Sequence, residues 1–173
     1  MLEKIKATAE FISKTTGFTP KTGIILGSGL GGLVKEIEIE KELNYADIPG
    51  FPVSTVKGHG NKLIFGTLNG VKVVAMQGRF HFYEGYSMQE VAMPVRVMKF
   101  LGIKNIILSN ASGGVNPKYK VGDLMILDDH INLMGTNPLI GPNNDDLGPR
   151  FPDMGEPYDK TMIKAAKAIA DKH

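Results

Sequence analysis

The sequence predicts an α/β domain built on a mixed β-sheet flanked by helices. Short apolar, β-branched runs are interleaved with stretches of helical periodicity, the pattern of strands alternating with helices. One pair of runs, Leu63 to Leu68 and Val71 to Met76, flanks Asn69-Gly70, the strongest short signal for an antiparallel hairpin. Glycine is frequent, at 21 of 173 residues, which suits many tight turns and not a helical bundle. The length predicts one domain, residues 1–173, with a sizeable core.

Taken in order, Leu2, Ile5, Ala9 and Ile12 are spaced 3, 4 and 3, one apolar stripe on a helix that Gly17 ends. Thr22 to Leu26 reads as a short buried strand running into Gly27-Ser28-Gly29-Leu30-Gly31-Gly32, which opens a helix. Ile37 and Ile39 alternate with Glu36, Glu38 and Glu40, as in a strand with one wet face. Tyr45 to Pro52 is a loop and Val53 to Val56 a short strand, ending at Lys57-Gly58-His59-Gly60. The second hairpin strand delivers the chain to Gly78-Arg79. Ser87-Met88-Gln89-Glu90 has the capping-box pattern that starts a helix. Val91, Val95, Met98 and Leu101 give that helix its apolar face, Pro94 kinks it or marks its true first turn, and Gly102 ends it. Asn105 to Ser109 is a buried strand leading into Asn110-Ala111-Ser112-Gly113-Gly114, and Asp123 to Leu127 is another strand. Residues 135–157 form a long loop rich in Gly, Pro, Asn and Asp, a kind that is usually functional or mobile. Lys160 to Lys172 is a last amphipathic helix, with Met162, Ile163, Ala166 and Ile169 on one face.

Composition excludes several functions. Twenty basic and eighteen acidic residues are well mixed, so nothing supports a nucleic-acid or membrane-surface role. There is no cysteine, which excludes disulfides and thiolate metal sites and makes the cytoplasm the natural compartment. Glu3 and Lys4 precede any apolar run, so no signal peptide is expected, and no stretch approaches the ~18 apolar residues of a membrane span. No ligand pair such as H-E-x-x-H points to a metal.

The chemistry concentrates in Gly78-Arg79-Phe80-His81-Phe82-Tyr83-Glu84-Gly85. In extended chain, Arg79, His81 and Tyr83 share one face and Phe80 and Phe82 the other. The polar face suits an anion with a polar group beside it; the alternative is a polar turn over two buried phenylalanines. The glycines at 27–32 fit G-x-G-x-x-G, yet the acidic residue expected about 20 residues on falls in a loop. A phosphate cradle, with Ser28 adding a hydroxyl, survives without the dinucleotide, beside the alternative of a plain tight turn. His59 lies between two glycines and is able to approach a ligand closely, or is incidental. His130 follows two aspartates and reads as a structural, hydrogen-bonded histidine. The segment 110–114 sits where α/β sheets gather ligands, or is a simple turn. Ser112 lacks the G-x-S-x-G surroundings of a nucleophile. Arginine plus converging backbone N–H groups best match phosphate.

Together, Gly27-Ser28-Gly29-Leu30-Gly31, Gly58-His59-Gly60, the 78–85 strip and Asn110-Ala111-Ser112-Gly113-Gly114 resemble the trimeric purine nucleoside phosphorylase family in order and spacing. Ile48-Pro49-Gly50-Phe51-Pro52, Asp129 to Leu133, Asn137 to Asn143 and Arg150 to Met154 extend the resemblance over nearly the whole chain. It implies a phosphorylase/hydrolase-like fold with a twisted mixed sheet, a homotrimer, and phosphate-dependent cleavage of purine nucleosides to free base and (deoxy)ribose 1-phosphate. No cofactor or metal is implied, inorganic phosphate being a co-substrate. Ser28, Arg79, His81 and the Ala111 N–H would hold phosphate, with His81 the catalytic residue. His59 would close over the phosphate, Tyr83 would contact ribose, and Phe151 would cover the sugar in a neighbouring subunit's site. Glu84 would orient the strip from behind. Ser112 departs from the alanine common in the family. Family members also continue past this point, into segments that recognise the base. The expectation is therefore an N-terminal part of such an enzyme, inactive alone. A methylthioadenosine phosphorylase, a non-catalytic phosphate-binding or assembly module, and a dinucleotide oxidoreductase are the competing readings.

Overall fold

The computed structural model describes residues 1–54 and 60–172. They fall into two compact units, divided between Ser112 and Gly113. The first unit holds a five-stranded mixed sheet. Its elements are α1 (Leu2–Thr16), β1 (Thr22–Leu26), β2 (Glu38–Asn44), β3 (Lys62–Leu68), β4 (Val71–Gln77), α2 (Met88–Val91), α3 (Met93–Phe100) and β5 (Asn105–Leu108). The strand order is β2-β3-β4-β1-β5. β2, β3 and β4 form an antiparallel meander, whereas β1 lies parallel to both β4 and β5. The expected class, a mixed sheet flanked by helices, is what folds.

Local chemistry sets these elements. Ile5, Ala9 and Ile12 are buried along α1, joined by Thr8, whose hydroxyl donates to the Lys4 and Pro49 carbonyls. Asn69 and Gly70 both have positive φ, at 47° and 77°, so the β3–β4 turn has the backbone that the Asn-Gly pair allows. Ser87 and Glu90 cap α2 reciprocally. Pro94 lies in the first turn of α3, after a break at Ala92. The break moves the helical phase, so α3 buries Met93, Pro94, Val97 and Met98, while Val95 is exposed. One sheet face packs Ile24, Leu26, Ile64, Val73 and Ala75 with Ile37, Leu33 and Val34. The opposite face meets α3, where Met98 lies against Gly23.

Four expected strands differ in whole or in part. β2 is an edge strand with no alternating wet face: Ile37 is buried before it begins, and Ile39 is exposed beside a register shift against β3. β5 is also an edge, and exposed rather than buried. Asp123 to Leu127 forms no strand; no neighbouring strand pairs with it, and Leu124 and Met125 are exposed. The Gly-rich turn after β1 opens a short 3-10 turn, Gly31–Glu36, instead of an α-helix. Val53 and Ser54 are not in a strand, and the remainder of that expected strand lies outside the described residues.

The second unit carries turns through most of its length and one helix, α4 (Lys160–Ala170), capped by the Asp159 side chain accepting from the Met162 N–H. Its expected apolar face is present but largely exposed, with Met162 at 40% and Ile169 at 60%. Among the described residues no helix is long and apolar enough to cross a membrane.

Tyr45 links sheet to site. It is fully buried, and its hydroxyl donates to the Gly78 carbonyl at 2.7 Å. Burial pushes its phenol well above the ordinary 10.0. Tyr45→Phe leaves a buried carbonyl without its donor and is expected to cost about 1–3 kcal/mol in urea unfolding at neutral pH. The raised folded value means that the Tyr45 contribution is fully present below pH 10.0, where unfolded tyrosine ionises, and falls as pH rises above it. The wild-type advantage over Tyr45→Phe should therefore narrow in urea titrations above pH 10.0.

Candidate functional site

The site is built where three parallel strands stop. Register pairs Leu26 with Gln77 and Ile25 with Leu108, so β1, β4 and β5 end at one level. The chain then continues as Gly27-Ser28, Gly78-Arg79 and Ser109-Asn110-Ala111. Sheets of this kind place ligands beyond the carboxyl ends of their strands.

Ser109 ties these ends together. Its hydroxyl donates to the Ile25 carbonyl at 3.2 Å and accepts the Gly27 N–H at 3.0 Å. Its carbonyl accepts from Arg79 Nη1. Gly27 sits inside this junction: a Cβ there would lie 2.4 Å from the Ser109 oxygen, 2.6 Å from Asn110 Cα and 2.7 Å from Arg79 Nη1. Beyond it, Leu30 N–H closes a turn on the Gly27 carbonyl at 3.2 Å, leaving Ser28 exposed at the tip. Ala111 is likewise exposed. Arg79 is half-buried, and among the described residues its partner is a carbonyl and not a carboxylate. The guanidinium is thus oriented with its charge uncompensated, as an anion site requires.

The 78–85 strip is not extended throughout. Phe80 points into the core against Tyr45, Phe51 and Tyr86, with ring centroids 5.3, 5.7 and 5.9 Å away. Residues Phe82–Glu84 then form a 3-10 turn. Phe82 is therefore exposed, at 46%, and does not share the buried face of Phe80. The cause is Glu84, whose carboxylate accepts the His81 backbone N–H at 2.9 Å and folds the chain back. The same oxygen meets His81 Nδ1 at 2.7 Å, with the carboxylate side chain only 2% exposed. Against an ionised carboxylate, which only accepts, the neutral ring takes the tautomer with hydrogen on Nδ1 and a lone pair on Nε2. Tyr83 still lies beside His81, by stacking at 4.7 Å and 16° and not by strand alternation. It is 75% exposed.

The structure brings together Arg79, the Ser28 turn and the Ser109–Ala111 segment at one end of the sheet, with His81, Tyr83 and Glu84 following Arg79 on the strip. His59 lies outside the described residues. Phe151 belongs to the second unit, where it is 87% exposed under the Arg150 guanidinium at 5.9 Å. Arg150 itself donates to the Leu139 and Gly141 carbonyls at 2.9 and 2.6 Å. His130 is hydrogen-bonded as expected, its Nδ1 2.9 Å from the Tyr158 hydroxyl. Among the described residues no three His, Cys, Asp or Glu side chains group to hold a metal. Sequence reasoning missed Ser109, Ser54 and Asn61. Ser54 donates to Glu84 at 3.2 Å, and Asn61 holds Ser54. The positive φ of Asn61, 50°, is foreshadowed only by Gly60-Asn61 as a turn-forming pair.

Comparison with known proteins follows the same lines. The model of the phosphorylase superfamily matches residues 21–173. A purine nucleoside phosphorylase of Bacillus subtilis is 59% identical over 170 residues, covering 98% of this chain and 63% of the relative. An isoform 2 purine nucleoside phosphorylase of Schistosoma mansoni, solved with cytosine and ribose-1-phosphate, superposes with a TM-score of 0.91 at 47% identity, covering 98% of this chain and 61% of that one. A schistosome purine nucleoside phosphorylase with hypoxanthine gives 0.92 at 48%, with coverage of 98% and 61%. The chain spans about three-fifths of the length of these relatives.

Gly27→Ala tests the junction. The new methyl meets backbone atoms that cannot rotate away, and overpacking of this kind costs about 1–3 kcal/mol. Urea unfolding should show that loss, and calorimetric titration should show weakened binding of inorganic phosphate.

Proposed function

The chain belongs to the phosphorylase superfamily, and from that premise we propose that the protein is a purine nucleoside phosphorylase to which these residues contribute the phosphate and ribose wall. The reaction is reversible phosphorolysis. A phosphate oxygen bonds to the anomeric carbon as the glycosidic C–N bond breaks, the bonding pair leaves with the base, and the base nitrogen takes up a proton. The products are free purine and (deoxy)ribose 1-phosphate.

The observation that carries this reading is the convergence of the three strand ends around Gly27, with the uncompensated Arg79 guanidinium among them. In the proposal, Arg79, the Ser28 hydroxyl, the Ala111 N–H and His81 hold phosphate, and His59 closes over it. Tyr83, stacked on His81, meets the ribose. Phe151 covers the sugar in a neighbouring subunit of a homotrimer; its exposure in its own unit supports that use. Glu84 orients His81 from behind. The ligands in the schistosome structures, a base with ribose-1-phosphate and hypoxanthine, support the substrate class. No cofactor takes part, and the cytoplasm is the proposed compartment.

As the sugar becomes oxocarbenium-like, the phosphate dianion faces the growing positive charge. Alignment of nucleophile and carbon contributes up to about 7–11 kcal/mol in well-oriented systems. Arg79 holds the phosphate in place, with no carboxylate among the described residues competing for its guanidinium.

Two measurements test the proposal. Inorganic phosphate binds the chain, and Arg79→Ala weakens binding by about 10- to 100-fold, the loss of a charge-assisted bond worth about 1.5–3 kcal/mol. Arg79→Lys restores only part of this, because a point charge replaces a fork. Second, inosine is converted to hypoxanthine only with phosphate present, by the protein that contains this chain, whereas the 173 residues alone bind phosphate without turnover. Phosphate-independent release of the base, or no phosphate binding, defeats the reading.

A further inference from the structure

Asn61 occupies a backbone conformation that glycine suits better. Its φ of 50° lies in the left-handed region, which Asn tolerates more readily than most side-chain-bearing residues. Its carboxamide is used at both ends. Nδ2 donates to the Ser54 carbonyl at 3.0 Å, and Oδ1 accepts the Ser54 N–H at 3.1 Å. One side chain thus pairs with both backbone polar groups of a single residue, as a neighbouring strand does. Ser54 is 5% exposed, so these groups are shielded from water. The Asn61 carbonyl accepts the Tyr45 N–H at 2.8 Å, which joins the pair to the residue that holds Gly78.

The Ser54 hydroxyl completes the connection. It donates to Glu84 Oε2 at 3.2 Å, while Glu84 Oε1 meets His81 Nδ1 at 2.7 Å. The Ser54 hydroxyl thus lies nearer Oε2 than Oε1, which is 3.5 Å away, and the imidazole meets Oε1 of the same buried carboxylate. The His81 N–H holds Oε1 at 2.9 Å, and the Ser54 hydroxyl adds the bond that sets the tilt of the carboxylate about it.

We propose that Asn61 is a positioning residue for His81: by clamping the Ser54 backbone, its carboxamide aims the Ser54 hydroxyl at Glu84 and so holds the imidazole in the tautomer with hydrogen on Nδ1. The consequence for catalysis rests on the phosphorolysis reading, because a fixed Nδ1–H determines what Nε2 presents to a phosphate oxygen. The clamp itself does not rest on that reading.

The test reads the ring directly. Imidazole nitrogen signals are recorded by long-range proton–nitrogen correlation on the 173-residue chain, and those of His81 are identified by their loss in His81→Gln. At a pH where the ring is neutral, the wild type is expected to show one tautomer, protonated at Nδ1. Asn61→Gly keeps the backbone path, since glycine suits the left-handed φ, and removes only the clamp. Ser54→Ala keeps the clamp and removes the hydroxyl. Each is expected to convert the single tautomer into an averaged mixture, and Ser54→Thr to restore it. Unchanged His81 signals in either variant overturn the proposal, including the case where Asn61→Gly lowers the melting temperature alone; were that variant not to fold, Ser54→Ala decides. Adding inorganic phosphate to the wild type separates the two claims. His81 signals that do not respond defeat the phosphorolysis reading, and the tautomer comparison still decides the clamp.

Discussion

The upper end of the sheet depends on Gly27 having no side chain. Parallel pairing brings the ends of β1, β4 and β5 to one level, but level is not contact. Contact arises because the Ser109 carbonyl and the Arg79 guanidinium both occupy space that a Cβ at position 27 would fill. With that space open, Ser109 bonds Gly27 and Ile25 through its hydroxyl and Arg79 through its carbonyl. Three chain exits become one surface. The neutral hydrogen bonds of Ser109 are individually worth about 0.5–1.5 kcal/mol, and the one from the Arg79 guanidinium about 1.5–3 kcal/mol. Their effect is greater in geometry than in energy, since they set where the guanidinium stands.

Behind that surface, an aromatic group does the corresponding work for the strip. Tyr45, Phe51 and Phe80 are all buried, in mutual ring contact at 5.1 to 5.7 Å. Edge-on contacts of this kind add about 0.5–1.5 kcal/mol beyond burial. Phe80 anchors the strip to the core one residue after Arg79 and one before His81. Neither flanking polar residue is then able to follow Phe80 inward without burying its charge. The core thus decides which way Arg79 and His81 face, and Tyr45 holds the bend at Gly78 on which that choice turns.

Much of this was legible in the sequence where one residue type has one physical meaning. Asn69-Gly70 reads as a hairpin because the two positions need positive φ, and Ser87 with Glu90 reads as a helix start because the two side chains satisfy each other's backbone. Thr22 to Leu26 reads as a strand to its last residue. What failed depended on neighbours. Ile39 alternates with glutamates correctly, but an edge position and a register shift leave its side chain exposed. Leu124 and Met125 carry a strand's composition with no strand to pair with. A period of two places Phe82 inward, and Glu84 interrupts that period. In the site, Arg79 and His81 announce themselves by charge. Ser109 does not: its role exists only through a hydrogen bond spanning 82 residues, and no local pattern encodes it.

The arrangement of charge follows from what each cation is bonded to. A carboxylate against Arg79 would orient the guanidinium as well as the Ser109 carbonyl does, but it would also cancel its charge. A carbonyl supplies direction with only a dipole. His81 presents the opposite requirement, because an imidazole must be told which nitrogen carries hydrogen. Only a group that accepts and cannot donate does so without ambiguity, and the Glu84 carboxylate is such a group. The carboxylate meets the ring at Nδ1 and is nearly removed from solvent. A carbonyl directs the guanidinium, and a carboxylate directs the imidazole. Exchanging the two partners would leave every hydrogen bond countable and the strand ends without the field of an uncompensated cation.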